Sequence, residues 1–583
     1  MRRMGIHALK ALAIRQRQRL RSSEMAFIVL ALVAGLAAGW LTNLQGFIAH
    51  GIQRLLYGIG DNRLSALGEI RNWWRLLALP LGGLVLVAMT HFLKARRRAP
   101  IDVVEANALH SGRIPFVDNL VISVQTILSN GAGASVGLEA AYAQMGGGVA
   151  SVLGQWFKLR RSDMRTLVGA GAGAAVGAAF GAPLAGAFYA FEIVIGTYTP
   201  AAIAPVVAAA LGAAFVTRAL GVEPYLIATA ADRTLTTGDY FIYTILGLAC
   251  ALVGIAMMRL VTFAEQKMQG ASGRIARWKP VIGGFLLMPL AMVTPQTLSA
   301  GHGAMHLNIA MQPALQFLVT VLVLKVLASA ISIAFGFRGG LFFASLFIGS
   351  LVGLIFAALA SMAGIALDIN DAALVGMSAL AVSVVGGPMT LAMLMLETTH
   401  DFALMGVVLT ASLVSSALTR ETFGYSFSTW RLHVRGSIIR SPRDIGWMLA
   451  LTAGRIMRKD WKSAAASLSV ADFRAQVPLG STSKAILLDD EGHYAGIVAT
   501  ASAYNPELAP DTQVGTLATL QANTLSPVTD IRAMLKAFDL AVADELAVVD
   551  GVGNVVGVVT ERHARRRYFE EIEASQRELF GEN

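Results

Sequence analysis

Up to about residue 434 the chain alternates long apolar runs with short polar or basic interruptions, and beyond it that pattern is lost. The run from about Met25 to Leu44 is long enough to cross a bilayer, since a span needs about 20 predominantly apolar residues. A second, from about Trp73 to Leu93, ends in Lys94, Arg96, Arg97 and Arg98, while Trp73 and Trp74 suit the opposite interface. Residues 1–24 carry Arg2, Arg3, Lys10, Arg15, Arg17, Arg19 and Arg21 among alanines and leucines. They predict a basic amphipathic helix on the membrane surface, with an unstructured arm as the other reading. Basic residues before the first span and after the second fall on the same side of the membrane, which predicts a cytoplasmic N-terminus.

From Ile101 to Arg420 the apolar segments become short and uneven. Trp156 to Arg165 and Glu265 to Lys279 read as basic loops, and Pro224, Asp232, Arg233, Thr236 and Thr237 as a polar loop on the far side. Phe241 to Phe263 is long enough to span once. The stretch Gly131 to Gly146, GAGASVGLEAAYAQMG, opens on three closely spaced glycines, places an acid at Glu139 and returns to apolar residues. Glycines permit tight turns and close approach, so it predicts a break followed by a fresh helix start. Gly133 to Ala150 then crosses only partway, which is tolerated inside a protein wall or along a cavity.

An internal repeat points the same way. PLAGAFYAFE runs from Pro183 to Glu192, and PMTLAMLMLE runs over the same distance from Pro388 to Glu397. Each has a glycine-rich break upstream, GASVGLEAAYAQ at 133–144 and GFRGGLFFASLF at 336–347. Two halves with matching interruptions predict a transport core with its site at their interface. Past Arg435 the basic stretch RGSIIRSPRDIGWMLA leaves the membrane. KAILLDDEGHYAGIVAT at 484–500 and ELAVVDGVGNVVGVVTE at 545–561 each predict strand, turn, strand and then helix. Ile531 to Leu540 supplies an amphipathic helix before the second copy, and Arg562 to Glu578 a charged one. The expected organisation is a basic segment 1–24, a membrane core 25–434, a linker 435–466 and an α/β domain 467–583.

Composition makes the membrane reading firm, with 55% hydrophobic and only 14% charged residues. The net charge of +10 sits beside apolar segments, so topology and anionic lipid account for it better than nucleic acid. The single cysteine, Cys250, excludes an internal disulfide and a cysteine-based metal site. No cleavable-signal pattern precedes the first span. No GxxxxGK[ST] loop supports an ATP-driven pump, and the ten histidines form no HExxH; His110, His302 and His306 stand isolated. No cofactor and no enzyme activity are expected. A carboxylate just inside a new helix faces the positive end of its dipole. Glu139 therefore reads as a group lining an anion or proton route, or as a buried acid held by backbone N–H groups. Glu192 and Glu397 read as helix braces.

These stretches resemble the CLC family of chloride channels and proton-coupled chloride antiporters, followed by a degenerate pair of CBS modules. The resemblance runs from about Met25 to Tyr425 and over 467–571. It implies an all-α polytopic membrane protein with broken helices in an inverted repeat, plus a cytoplasmic α/β tail. It also implies a homodimer with one anion pathway per subunit, lying in the cell (inner) membrane with both termini cytoplasmic. The family's GxEGP gate motif matches GLEAA, giving Gly137 and Leu138 the flanking backbone and Glu139 the gate, with Ala140 and Ala141 for glycine and proline. AFGAPLAG at 179–186 resembles the family's AFNAPLAG. GLFFA at 340–344 resembles its GxFxP, so Gly340, Leu341, Phe342 and Phe343 are implied on the anion pathway, and Tyr425 in FGYSFS is implied as the inner anion hydroxyl.

Two departures shape the functional expectation. The family's GSGIP motif has no clear counterpart in RRAPIDVVEANAL at 97–109, and where family antiporters carry a second glutamate for protons, Ile193 follows Glu192. A side chain without a titratable group relays no proton. The expectation is a passive, Glu139-gated channel for chloride or similar small anions, with a proton-coupled antiporter as the alternative. In nucleotide-binding CBS modules an aspartate often stands three positions after a strand-ending hydroxyl residue. Ala503 follows Thr500 and His563 follows Thr560 at that distance, which favours a scaffold over an adenine-nucleotide sensor.

Overall fold

A computed structural model describes residues 23–60, 63–70, 72–93, 100–222, 227, 235–270, 273–424, 426, 430 and 451–580. The expected surface helix at 1–22, most of the polar loop from Pro224 to Arg233, Tyr425 and the start of the linker lie outside them. The chain divides into two compact units, Met1–Asp444 and Ile445–Asn583.

The first unit is helical. Its elements are α1 (Glu24–Tyr57), α2 (Ala78–Leu93), α3 (Val103–Leu109), α4 (Phe116–Gly131), α5 (Glu139–Phe157), α6 (Arg161–Phe180), α7 (Pro183–Tyr189), α8 (Pro200–Ala219) and α9 (Thr237–Gln269). Then follow α10 (Gly273–Val293), α11 (His302–Met311), α12 (Leu315–Ala334), α13 (Phe342–Met362), α14 (Ile369–Val385), α15 (Pro388–Thr399) and α16 (Phe402–Thr422). Seven helical segments among the described residues are long and apolar enough to cross a membrane. This is a multi-pass membrane protein.

Several boundaries differ from the sequence expectation for identifiable reasons. Ser23 caps α1 by accepting the Ala26 N–H, but the helix runs well past Leu44 to a left-handed Gly58. Polar residues in its second half are satisfied from within the protein: Gln53 Nε2 donates to the Asn130 carbonyl at 3.0 Å. The basic loop expected from Trp156 to Arg165 is only a short link, because α5 continues to Phe157, Lys158 turns left-handed, and α6 starts at Arg161. Likewise Glu265 to Lys279 is mostly the end of α9 and the start of α10. Thr236 is no loop residue but the N-cap of α9, closing a capping box with Asp239.

The two breaks are built alike. After α4 the chain turns through Gly133 (φ 94°), and after α12 through Gly336 (φ 94°), a region open to glycine without a Cβ clash. Gly137 and Gly340 then exchange both backbone hydrogen bonds, at 2.9 and 3.2 Å. On the flanks, Ser135 N–H donates to Ser332 Oγ on α12 at 3.0 Å, and Arg338 N–H to Ser129 Oγ on α4 at 2.9 Å. The same interval separates Gly137 from Gly340, Ser129 from Ser332 and Ser135 from Arg338. Behind the breaks, Gly146 faces Gly171 and Gly349 faces Gly376, where a methyl on any of the four would run into the opposite carbonyl.

The repeated acids brace the halves reciprocally. Glu192 accepts from the N–H of Met389 (3.2 Å), the N–H of Thr390 (2.8 Å) and Thr390 Oγ1 (2.7 Å), at the start of α15. Glu397, at the far end of α15, accepts from the N–H of Leu184 (2.9 Å) and Ala185 (2.8 Å), at the start of α7. Each carboxylate thus meets the positive end of the other half's helix. Their bracing reading agrees with this geometry.

The second unit holds two three-stranded sheets of one design: β1 (Ser463–Ala465), β2 (Lys484–Leu488), β3 (Tyr494–Ala499), and β4 (Thr524–Leu525), β5 (Glu545–Val549), β6 (Val555–Thr560). In each the first strand pairs parallel to the second and the second antiparallel to the third, with α17 (Val470–Gln476) or α18 (Ile531–Ala541) as the crossover. A bulge interrupts β2 at Leu487/Leu488 and β5 at Val548/Val549. Ile486, Ile497, Ala547 and Val558 pack the sheets together. The hairpins and helix expected from the sequence are present, closing with α19 (Glu561–Phe580). The short parallel strands β1 and β4 were not legible, being too brief to show alternation.

If the reciprocal caps hold the halves, Glu397→Ala leaves two α7 N–H groups without an acceptor. A loss of about 1–3 kcal/mol is expected. The thermal midpoint of the detergent-solubilised protein should fall, and Glu397→Gln, whose amide oxygen still accepts, should fall less; an unchanged midpoint in the alanine variant contradicts the brace.

Candidate anion site

The bridged glycines determine where α5 and α13 begin, with Glu139 the first residue of one and Phe342 of the other. Their N-caps, Leu138 and Leu341, make no side-chain hydrogen bond, so no capping side chain closes either first turn. Each such terminus carries roughly half a positive charge. A cavity of about 140 Å³ opens beside them, with Glu139, Gly340, Leu341, Phe342, Tyr189 and Ile193 among its lining. Oriented N–H groups without a full cationic cage can attract a small anion and release it.

Glu139 is 3% exposed. Its carboxylate folds back over Gly137, where any Cβ would overlap Oε2. Backbone N–H groups of Glu139 itself and of Phe343 bond the carboxylate, while Oε2 has no hydrogen-bond partner. The apolar wall is aromatic: the Phe180 ring lies 5.5 Å from that of Phe342 and stacks at 6.0 Å on Phe343. Tyr189 meets Phe342 edge-on at 6.1 Å, and His302 stacks on Phe343 at 3.4 Å.

Of the residues singled out from the sequence, Glu139, Gly340, Leu341 and Phe342 come together on the cavity. Gly137, Leu138 and Phe343 form the layer directly behind it: Gly137 under the carboxylate, Leu138 as helix cap, and Phe343 fully buried. Ile193 lies on the cavity wall, whereas Glu192, its neighbour on the π-helical turn Ala190–Ile195, turns to α15. Tyr425 is outside the described residues.

Three residues escaped the sequence reading. Asp102, the N-cap of α3, and Arg338 both line the cavity. Lys325 is 0% exposed within α12, where its Nζ donates to the carbonyls of Ser299 (2.6 Å) and Thr297 (3.3 Å) and lies 5.8 Å from the Phe347 ring centre. It ties the 297–299 loop, which leads to His302, against α12. A lone lysine inside an otherwise apolar run, LQFLVTVLVLKVLASAISIA, was the available signal.

Residues 82–420, more than half of the chain, match the family model described as voltage gated chloride channel. The chain belongs to that family. Over 370 residues it is 26% identical to the voltage-gated ClC-type chloride channel ClcB of Escherichia coli O17:K52:H18 (strain UMN026 / ExPEC), covering 61% of this chain and 86% of that one. Its fold is shared with a slow cyanobacterial Cl−/H+ antiporter (24% identity, TM-score 0.61, covering 70% of this chain and 97% of the other). It is also shared with a eukaryotic CLC transporter (18% identity, TM-score 0.60, covering 94% and 98%). The family and fold class expected from GLEAA, AFGAPLAG and GLFFA are therefore the ones found. A CLC member is an anion channel or Cl−/H+ antiporter, not an enzyme.

The overlap between Gly137 and the Glu139 carboxylate has a direct test. Gly137→Ala should destabilise the protein against heat, and Glu139→Ala should relieve most of that loss by removing the colliding oxygen. Equal losses in both backgrounds would mean that the carboxylate does not sit over Gly137.

Proposed function

We propose that this protein is a passive channel for chloride or similar small anions, gated by Glu139, without stoichiometric proton coupling. The observation that carries the reading is Ile193 on the wall of the cavity that also holds Glu139 and the start of α13. An ionised Glu139 occupies the anion's place as a tethered competitor, and a protonated one gives it up. The proton then has no titratable partner at Ile193, and Glu192 is engaged by three donors of α15. The alternative is a proton-coupled antiporter, favoured by one observation: Asp102 lines the same cavity and offers a carboxylate that bypasses Ile193.

The functional unit is a homodimer with a separate pathway in each subunit, since one chain contains both halves of the repeat. It lies in the cell membrane with both termini cytoplasmic, and the tail serves as a scaffold. Titrating ATP into the full-length protein should give no binding heat, because Ala503 and His563 stand where an aspartate would be needed; stoichiometric binding would refute the scaffold.

Anion efflux from vesicles as a function of external pH tests the gate. Wild-type flux should rise as pH falls, because protonation removes the charge that competes with the anion, and Glu139→Gln should be insensitive. Matching profiles for two folded proteins would remove Glu139 from gating. Ile193→Glu should introduce chloride-dependent proton movement absent from wild type; coupling already present in wild type and lost in Asp102→Asn would favour the antiporter.

A further inference from the structure

The first break, which leads into Glu139, is held by the buried turn at 297–299. Ser299 is its hub: the N–H donates to the Gly133 carbonyl at 3.0 Å, and Oγ accepts from Asn130 Nδ2 at 3.1 Å and Gln53 Nε2 at 3.3 Å. Asn130 Nδ2 also donates, at 2.8 Å, to the carbonyl of Val136, next to the bridging Gly137. Ser299 itself adopts φ 54°, a left-handed backbone that a residue with a Cβ keeps only under constraint. The constraint is Lys325, whose ammonium spans the turn by donating to the carbonyls of both Thr297 and Ser299.

Lys325 has no carboxylate partner among the described residues, and a buried charge without one is costly in a membrane span. Its ammonium also lies toward the ring of Phe347, one helical turn beyond Phe343, whose N–H bonds the Glu139 carboxylate. The interval that relates Gly137 to Gly340 relates Lys325 to Ile122, so the corresponding position of the other half is apolar. The lysine therefore serves the break that carries the acid. We propose that Lys325 is a positioning residue for the gate: by locking the 297–299 turn it holds the first break, and with it the Glu139 carboxylate, in the closed arrangement over Gly137. The proposal rests on reading Glu139 as the gate. An apolar side chain at 325 leaves two buried carbonyls without their donor, so the turn and the break loosen together and the ionised carboxylate no longer seals the path.

The test measures anion efflux from vesicles at acid and alkaline external pH for the full-length protein. Wild type is compared with Lys325→Met, Lys325→Arg and Ser299→Ala, and Lys325→Met is also placed in the Glu139→Gln background. Lys325→Met should leak at alkaline pH, so that its acid-to-alkaline flux ratio falls roughly tenfold, the worth of one hydrogen bond to a charged group. Lys325→Arg, which keeps charge and donors, should restore most of the ratio. In the Glu139→Gln background Lys325→Met should leave the ratio unchanged, because no gate charge remains to be positioned. A wild-type ratio in Lys325→Met, or an equal change in both backgrounds, overturns the proposal. Ser299→Ala removes the hydroxyl link to Asn130 and Gln53 and should lower the ratio by a smaller factor. If Lys325→Met does not fold, this arm decides, and an unchanged ratio in it overturns the proposal. Should Glu139→Gln alone keep the wild-type profile, the gate reading fails; a flat Glu139→Gln with a wild-type Lys325→Met fails this inference only.

Discussion

The paired hydrogen bonds between Gly137 and Gly340 are the constraint from which the membrane unit is built. A chain that interrupts its helices within a bilayer cannot leave the freed backbone groups to water, and each unsatisfied group costs several kcal/mol. The two breaks solve this for each other: the glycines exchange N–H and carbonyl bonds, and Ser129 and Ser332 accept the N–H groups at Arg338 and Ser135. Because α5 and α13 both start immediately beyond the bridge, satisfying the breaks also fixes the two helix starts around one site. Satisfaction of the broken backbone and placement of the two helix starts thus have a common origin.

The frame is nearly symmetric and the chemistry is not. Where the first half has Glu139, the second has Phe342; where the first has Ser135, the second has Arg338. The asymmetric positions bear on the cavity, whereas the shared ones, including the Glu192 and Glu397 caps, hold the halves together. The three glutamates that stand out in the sequence, Glu139 buried and Glu192 and Glu397 half-buried, divide by their partners. Glu192 and Glu397 have both oxygens engaged by helix starts, while Glu139 retains an oxygen with none.

The sequence made the breaks, the paired acids and the tail hairpins legible because each rests on local chemistry: glycine spacing, proline-to-acid distance, or strand alternation. It was less informative wherever a residue is satisfied from far away. Gln53 continues α1 past its apolar run because Asn130 accepts from it, and Lys325 survives inside α12 because loop carbonyls and an aromatic face receive its charge. Asp102 and Arg338 were passed over for the same reason. Asp102 has no neighbour in sequence that marks a cavity, and Arg338 sits inside the second break without any local sign of which way its side chain is used; only the meeting of α3, α5 and that break puts both on the lining.

The central claim is that anion movement here is not tied to protons, and one measurement addresses it without mutagenesis. A chloride gradient is imposed across vesicles containing the wild-type protein while chloride and external pH are recorded together. The account predicts that chloride runs down its gradient with no proton movement uphill. Reproducible uphill proton transport that vanishes when the chloride gradient is removed would contradict it.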